Sequence, residues 1–438
     1  MQTETTDSRV PGRRLLIITY YFPPESSVGA HRWRAMSRWL RRLGYEVTVL
    51  TTPAFGALPD DGAETERAFD LAASRALRRL LRRPSVATPH AGEPQMGEGA
   101  PPAIVADLLV PDAHVVGWNP AAAWAARRLV RQRRIDCVIT SGPPHSTHLI
   151  PFALGRRRPA WIADFRDGWR FEPLRGPWPL PGQDALDGWL ERRVAARADL
   201  LIGVTRPIAD DLAGRLGARS ACITNAWDPD LDASVANANA PALDPETINI
   251  VHAGKLYVEG SNRRDPSTLG PALRLLLDRR PEAAERLRIL VAGPLDPEEQ
   301  RFIAERDPAQ MVRHLGHLPH DDMLALEREA DALLLVTAPE LVSLATGKLF
   351  EYLAAGRPII ALADGNEAAR IVEETGTGLT MPVDDAAGLA EAFEAALDGK
   401  LSERYAPHDL EPYVYPGPAR QMAELVERAI AERRGAAR

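Results

Sequence analysis

The stretch that decides the fold class is RLLIITYYFPPESSVGAHRWRAMSRWLRRLGYEVTVLTT, residues 14–52. Its apolar run RLLII (14–18) stops at a proline-rich loop, a helical pattern follows over 31–43, and the β-rich run EVTVLTT (46–52) comes next. A strand, a loop, a helix and another strand in this order are typical of the start of a parallel α/β sheet. The alternation recurs at 127–141, 159–167 and 192–227. We therefore predict one doubly wound domain over about 13–232, with a mobile insertion at about 54–105.

A second alternating region follows the linker-like run ASVANANAPALDPET (233–247). It begins at INIVHAG (248–254) and predicts another Rossmann-like domain over about 247–405. A last amphipathic pattern predicts a helix within 416–435, which we expect to pack back on the first domain. Two such domains in tandem place a ligand cleft between the carboxyl ends of their sheets.

Composition and charge restrict the function classes. The 438 residues exceed one comfortable core, and the net charge of −7 argues against a nucleic-acid partner. The first 240 residues are nevertheless positive, with 31 arginines against 26 acidic residues. The polar N-terminus lacks the apolar stretch of a signal peptide, and no run has the roughly 20 apolar residues that a membrane span needs. We expect a cytoplasmic protein.

The segment TGKLFEYLAAGRPIIALA (346–363) carries the clearest chemical signal. A helix that begins near Gly347 presents free backbone N–H groups to a phosphate, and Thr346 and Lys348 lie at the same end. Glu351, one turn later, can accept two hydroxyls of a ribose. The alternative is an ordinary surface helix with an i, i+3 pair between Lys348 and Glu351.

A second loop has cations at the end of a predicted strand. The run INIVHAGKLY places Gly254 at the strand end and Lys255 just beyond it, and Arg263 and Arg264 follow. Positive side chains beside a glycine at this edge of a sheet suit a diphosphate. Only three lysines occur in the chain, and two of them, Lys255 and Lys348, fall at these loops.

Polar residues also follow two strands of the first domain. His145 comes after the strand IDCVIT, and Asp164, Arg166 and Asp167 come at the end of the strand AWIA. We assign His145 and Asp167 to catalysis with Lys255, and we place Arg32, Asp164 and Arg166 on the acceptor side. The alternatives are that His145 caps the following helix and that the DFRD run is an ion-pair lattice supporting its loop.

These motifs together resemble the retaining GT-B glycosyltransferases known as family four. The matching segments cover nearly the whole chain in the family's order: YYFPP, GAHRW, VITSGPPHSTHLI, WIADFRDGW, ITNAWD, IVHAGKLY, HLGHLPHDDMLALEREADALLLV and TGKLFEYLAAGRPII. The resemblance implies that Glu351 holds the donor ribose. It also implies that Lys255, with Arg263 or Arg264, binds the donor pyrophosphate, and that Gly29 lies near the donor phosphate and the transferred sugar.

The resemblance implies transfer of a sugar from a nucleotide sugar to a sugar, lipid-linked or small-molecule acceptor, with retention, in the synthesis of a cell-surface polysaccharide or glycoconjugate. It implies no metal and no cofactor. One departure matters, because Ser343 stands where the family usually has the first of two glutamates. Two alternatives therefore stay open: a nucleotide-sugar 2-epimerase on the same fold, and a sugar-nucleotide-binding protein without catalysis.

A basic segment suggests contact with a membrane. Five arginines accompany three leucines in SRALRRLLRR (74–83): Arg75, Arg78, Arg79, Arg82 and Arg83. Such a segment favours reversible binding to anionic headgroups. We therefore expect peripheral contact with the inner face of the membrane.

Overall fold

The structure is a computed structural model that describes residues 12–57, 64–73, 108–173, 175–254, 256, 266–293, 295, 297–307, 309–338 and 340–435. The chain forms two compact units. The first runs to Thr224 and takes up the chain again at Tyr415, and the second runs from Asn225 to Val414. None of the helices among the described residues combines the length and apolarity that crossing a bilayer requires.

The first unit is built on a parallel sheet. Its strands are β1 (Arg14–Thr19), β2 (Glu46–Thr51), β3 (Thr65–Arg67), β4 (Cys137–Gly142), β5 (Ala160–Phe165), β6 (Leu200–Gly203) and β7 (Ser220–Cys222). Their order across the sheet is β3-β2-β1-β4-β5-β6-β7. The order runs outward in both directions from β1 and β4, so polar loops converge at the carboxyl ends of β1, β4 and β5.

Helices flank this sheet. They are α1 (Val28–Arg42), α2 (His114–Gly117), α3 (Asn119–Arg133), α4 (Gln183–Ala195) and α5 (Arg206–Leu216), with a long 3₁₀ segment at His145–Leu154. Apolar side chains of β1, β4 and β5 pack against α3, the 3₁₀ segment and α5 in one buried cluster. The near-continuous apolar strands follow from this arrangement, because strands of a parallel sheet are covered on both faces.

The second unit repeats the architecture with six parallel strands. They are β8 (Ile248–Ala253), β9 (Leu287–Ala292), β10 (Val312–Gly316), β11 (Ala332–Val336), β12 (Ile359–Leu362) and β13 (Gly378–Met381), in the order β10-β9-β8-β11-β12-β13. Alternate residues of one strand enter different cores: Leu334 packs in one cluster, and Leu333 and Leu335 pack in another. The period-2 alternation places a core on each face of the sheet.

The second unit's helices are α6 (Asp232–Val235), α7 (Leu269–Arg279), α8 (Ala283–Arg286), α9 (Pro297–Arg306), α10 (His320–Glu329), α11 (Gly347–Ala355), α12 (Glu367–Glu374), α13 (Ala386–Leu397) and α14 (Leu401–Arg404). Trp227 and Val235 pack against Leu324 of α10, and Trp227 pairs with Val414. The chain therefore changes unit before the predicted linker at 233–247, because these apolar side chains are buried in the second unit.

The final helix, α15 (Gly417–Gly435), belongs to the first unit. Its buried stripe includes Met422, Val426 and Ile430, which share one face of a helix. Polar contacts also fix it, since Glu427 accepts a bond from Nε of Arg13 at 3.3 Å. The predictions of two Rossmann-like units and of a C-terminal helix that packs on the first of them are confirmed.

Candidate functional site

At the carboxyl end of β8, the loop that follows this strand lies close to the loop that follows β9. The amide of Gly254 donates to the carbonyl of Ala292 at 2.6 Å, and Gly254 has a φ of +83°. A Cβ at Gly293 would lie 2.7 Å from the Gly254 backbone. Glycine is required at Gly254 for its left-handed conformation and at Gly293 for space. The result is a strand end with little bulk.

The N-terminus of α11 lies at the same edge of the second sheet. Thr346 is the extended N-cap residue, and its hydroxyl makes no bond to the first turn. That hydroxyl is buried and has no hydrogen-bond partner among the residues that the structure describes. The amide of Leu349 donates to the Thr346 carbonyl at 3.1 Å, and the start of the helix at Gly347 carries the partial positive charge of the helix dipole.

Lys348 connects the helix to the strand end. Its ammonium donates to the carbonyl of Ala253, the last residue of β8. A Cβ at Gly254 would lie 3.4 Å from the lysine Nζ, so the cation sits directly beside the glycine. The structure thus brings together Gly254, Thr346, Gly347 and Lys348.

Glu351 lies one turn further along α11. Its side chain is 27% exposed, and Oε1 is 3.8 Å from Nε2 of His320. Burial raises the pKa of Glu351, while His320 and Lys348 lower it in part. A carboxylate beside a lysine and a histidine in a half-buried position is suited to accept hydrogen bonds from ligand hydroxyls.

The predicted cations of the loop after β8 and one unpredicted carboxyl group complete the comparison with the sequence. Lys255, Arg263 and Arg264 lie outside the residues that the structure describes, and their roles stay predictions. The missed group is Glu327 of α10, which is fully buried; burial and the negative charge of Glu351 raise its pKa. The sequence signal was its place within the apolar face of α10, between Leu324 and the following strand.

In the first unit, Arg32 and Asp164 form a buried ion pair. Nη2 of Arg32 donates to Asp164 Oδ1 at 2.8 Å, and the two side chains are 1% and 0% exposed. Arg32 also donates to the carbonyls of Ile223 and Thr224, and Asp164 accepts a bond from Ser141 at 3.0 Å. The pair thereby ties α1 to the ends of β4, β5 and β7. Its predicted acceptor-side role stays a prediction.

Arg166, two residues after Asp164, occupies the space that Gly29 leaves open. A Cβ at position 29 would overlap the Arg166 guanidinium, whose Nη2 donates to the carbonyl of Pro143. The guanidinium also lies over the ring of Tyr21, 5.7 Å from its centroid. Burial raises the pKa of Asp167, and Arg166 lowers it in part. Gly29 is therefore needed for arginine packing, whatever it contributes to a ligand.

His145 stacks on Trp169, with ring centroids 5.0 Å apart and an interplanar angle of 6°. It does not cap the following segment, because Pro144 is the N-cap residue. Asp112 bonds the amide and hydroxyl of Ser146 instead, at 2.8 and 2.6 Å. The capping interpretation of His145 is wrong, because the amide of Ser146 donates to Asp112, 34 positions upstream. Burial lowers the pKa of His145 to about 4.

This pKa predicts a loss of stability in acid. The unfolded chain binds a proton at His145 near pH 6.5, whereas the folded state resists it down to about pH 4. The free energy of unfolding must therefore fall as pH drops through this window. The variant His145→Phe keeps the stack on Trp169. Urea denaturation should show that its free energy of unfolding falls less between pH 7 and pH 5 than that of wild type. An equal loss in both proteins would mean that folded His145 titrates normally.

Two family models match the chain, one in each unit. Residues 29–224 match the glycosyl transferase 4-like domain, and residues 248–399 match glycosyl transferases group 1. The chain belongs to the group 1 glycosyltransferases. It is an enzyme that transfers a sugar. A search of curated proteins finds no significant match to this glycosyltransferase.

Solved structures agree on the GT-B fold. Sucrose-phosphate synthase from Thermosynechococcus elongatus is 17% identical, with a TM-score of 0.59 over 96% of this chain and 100% of that one. Trehalose-6-phosphate synthase from Burkholderia multivorans is 14% identical, with a TM-score of 0.60 over 97% and 98%. UDP-GlcNAc 2-epimerase from Neisseria meningitidis is 13% identical, with a TM-score of 0.51 over 95% and 100%. At these identities the likeness concerns the fold alone.

Proposed function

We propose that this glycosyltransferase takes its sugar from a nucleotide sugar that binds at the edge formed by β8 and α11, and that it retains the anomeric configuration. The observation that carries the proposal is the buried Thr346 hydroxyl at the start of α11, which has no hydrogen-bond partner among the described residues. Lys348 and Glu351 complete a surface with a cation for a diphosphate and an acceptor for ribose hydroxyls.

In the proposed reaction, the bond between the anomeric carbon and the diphosphate oxygen breaks, its electron pair stays with the diphosphate, and negative charge grows on the diphosphate oxygens. Amides at Gly347, the Lys348 ammonium and Lys255 stabilise that charge. The acceptor hydroxyl supplies the new bond and loses its proton to the departing diphosphate. Arg263 and Arg264 are proposed to bind the same group, and Gly254 keeps bulk out of its path.

The first unit is proposed to serve the acceptor and the transferred sugar. His145 is neutral at physiological pH, because burial depresses its pKa, and its unpartnered Nδ1 can bond a sugar hydroxyl. Arg166 and Asp167 are proposed to orient the acceptor beside Gly29. Arg32 and Asp164 are proposed to hold that edge in place through their ion pair.

The test is release of nucleotide from a panel of UDP-, GDP- and ADP-sugars, with extracted glycans, polyprenyl phosphates and simple sugars as acceptors. We expect one donor class to yield product only when an acceptor is present, and we expect activity to persist in EDTA because cationic side chains neutralise the leaving group. A strict need for Mg²⁺ or Mn²⁺ would contradict the metal-free mechanism.

The same panel separates the alternatives. A 2-epimerase would convert donor alone into its epimer, and a binding protein would release no nucleotide under any condition. Turnover with Ser343 in its present position would show that the first glutamate of the family pattern is dispensable here. The cytoplasmic location and the membrane contact of residues 75–83 stay predictions, and that segment lies outside the described residues.

A further inference from the structure

Glu327 is a buried carboxyl group on α10. Its side chain is 0% exposed, and within the part of the chain that the structure describes neither carboxyl oxygen has a hydrogen-bond partner. An ionised carboxylate in such a place is strongly unfavourable, whereas a neutral carboxylic acid is tolerated. The fold therefore favours a bound proton at Glu327.

The helix packed against α10 carries the proposed donor residues. Helices α10 and α11 contact each other, and α11 presents Glu351 and Lys348. Burial is the main cause of a raised pKa at Glu327, the negative charge of Glu351 raises it further, and Lys348 lowers it. Glu327 and Glu351 thus share a poorly hydrated environment with Lys348.

Two further charged or titratable groups on α10 and β8, Arg328 and His252, have partners of their own. Arg328 on the same helix lowers the pKa of Glu327, but its guanidinium is engaged by Asp232 of α6 at 2.5 Å. Strand β8 contributes His252, whose Nδ1 bonds the carbonyl of Leu334 at 2.9 Å. The two largest charge effects on Glu327 come from Glu351 and Lys348 of the neighbouring helix.

Two carboxyl groups in such an environment hold one negative charge more easily than two. The charge falls on Glu351, because its side chain is 27% exposed and lies 3.8 Å from His320, whereas that of Glu327 is 0% exposed. Glu327 therefore keeps the proton over the pH range in which Glu351 is ionised.

We propose that Glu327 is a positioning residue that acts through Glu351: as a neutral acid, it leaves the single negative charge of the pair on the group that binds the donor's ribose hydroxyls. This inference rests on the proposed donor site. The protonation states of Glu351 and Glu327 then set the pH range in which the donor binds. On the acid side Glu351 becomes protonated and loses its acceptor strength. On the alkaline side Glu327 ionises, and a second negative charge repels the diphosphate and attracts Lys348 away from it.

The first experiment measures nucleotide affinity against pH. Calorimetry with UDP, GDP and ADP in turn should give wild type a bell-shaped profile for the nucleotide that binds. Glu327→Gln should keep the decrease in affinity at acid pH but should no longer show the decrease at alkaline pH. At the alkaline end it should bind about five- to tenfold more tightly than wild type, as expected for one unit charge at close range. The matched control is Glu329→Gln, at an exposed position two residues away on α10, which should follow wild type. An alkaline decline that persists in Glu327→Gln overturns the inference.

The second experiment needs no nucleotide. A folded-state pKa above the unfolded value makes the free energy of unfolding fall as pH rises, because the unfolded chain releases a proton that the folded chain retains. Urea denaturation should show a flatter pH dependence for Glu327→Gln and for Glu327→Met, while Glu329→Gln should parallel wild type. A Glu327→Gln slope equal to that of wild type overturns the inference. If denaturation follows the expectation but no nucleotide binds wild type, the proposed donor site fails and the proton assignment stands.

Discussion

Glu351→Ala is expected to weaken nucleotide-sugar binding by about 2–3 kcal/mol, roughly 30- to 140-fold, with the fold intact. The carboxylate can accept two ribose hydroxyls, and hydrogen bonds to a charged acceptor are the stronger kind. The group is half-buried beside His320 and Lys348, so water competes poorly with the donor. Removing it also relieves a partly desolvated charge, so the free protein should lose little stability.

Calorimetric titration with the donor that the activity panel identifies measures this effect. Glu351→Gln keeps a neutral acceptor oxygen and should lose an intermediate amount of affinity. Glu329→Ala, an exposed glutamate on the adjacent helix α10, is the control and should bind as wild type does. Unchanged binding by Glu351→Ala, with circular dichroism unchanged as well, would remove Glu351 from the site.

The sequence was sufficient to predict the elements whose signals are local. Apolar runs such as RLLII correspond to buried strands, and β1 is the strand Arg14–Thr19. The start of α11 at Gly347 and its end at Gly356 were also predictable. Gly356 has a φ of +69°, and a glycine in the left-handed conformation is a frequent helix terminator. Periodicity and breakers were enough to recognise two doubly wound units.

The contacts between loops at the carboxyl ends of the strands could not be predicted from local sequence patterns. Asp112 caps a turn 34 residues away, and Arg166 fills a space that Gly29 leaves. Neither contact leaves a pattern in adjacent residues, because each depends on which loops the sheet order brings together. Glu327 was overlooked for a related reason. A glutamate among helical charges is typical of a surface. The position of Glu327 on the apolar face of α10 was a weaker signal than that pattern, and the packing of the helix shows that its side chain is buried.

The ion pair between Arg32 and Asp164 gives the largest expected effect on stability. Arg32→Ala should lower the free energy of unfolding by about 3–5 kcal/mol, because it leaves a buried aspartate without its cation. It also removes the donors to the carbonyls of Ile223 and Thr224, at 3.0 and 2.7 Å. Arg14→Ala is the matched control. That arginine also pairs with a carboxylate at 2.9 Å, but the two side chains are 40% and 63% exposed. Its loss should cost about 0–1 kcal/mol.

A double variant separates the cost of a broken pair from the contribution of the pair itself. Arg32→Met with Asp164→Leu removes both charges and keeps apolar volume, so it should recover much of the stability that Arg32→Ala loses. Urea denaturation of the three proteins and wild type at one pH measures the difference. If Arg32→Ala unfolds at the same urea concentration as Arg14→Ala, Asp164 has found water or another cation, and the ion pair does not hold α1 against β5. If the double variant is stable yet inactive, the charges themselves are needed at the acceptor side, as the sequence predicted for Arg32 and Asp164.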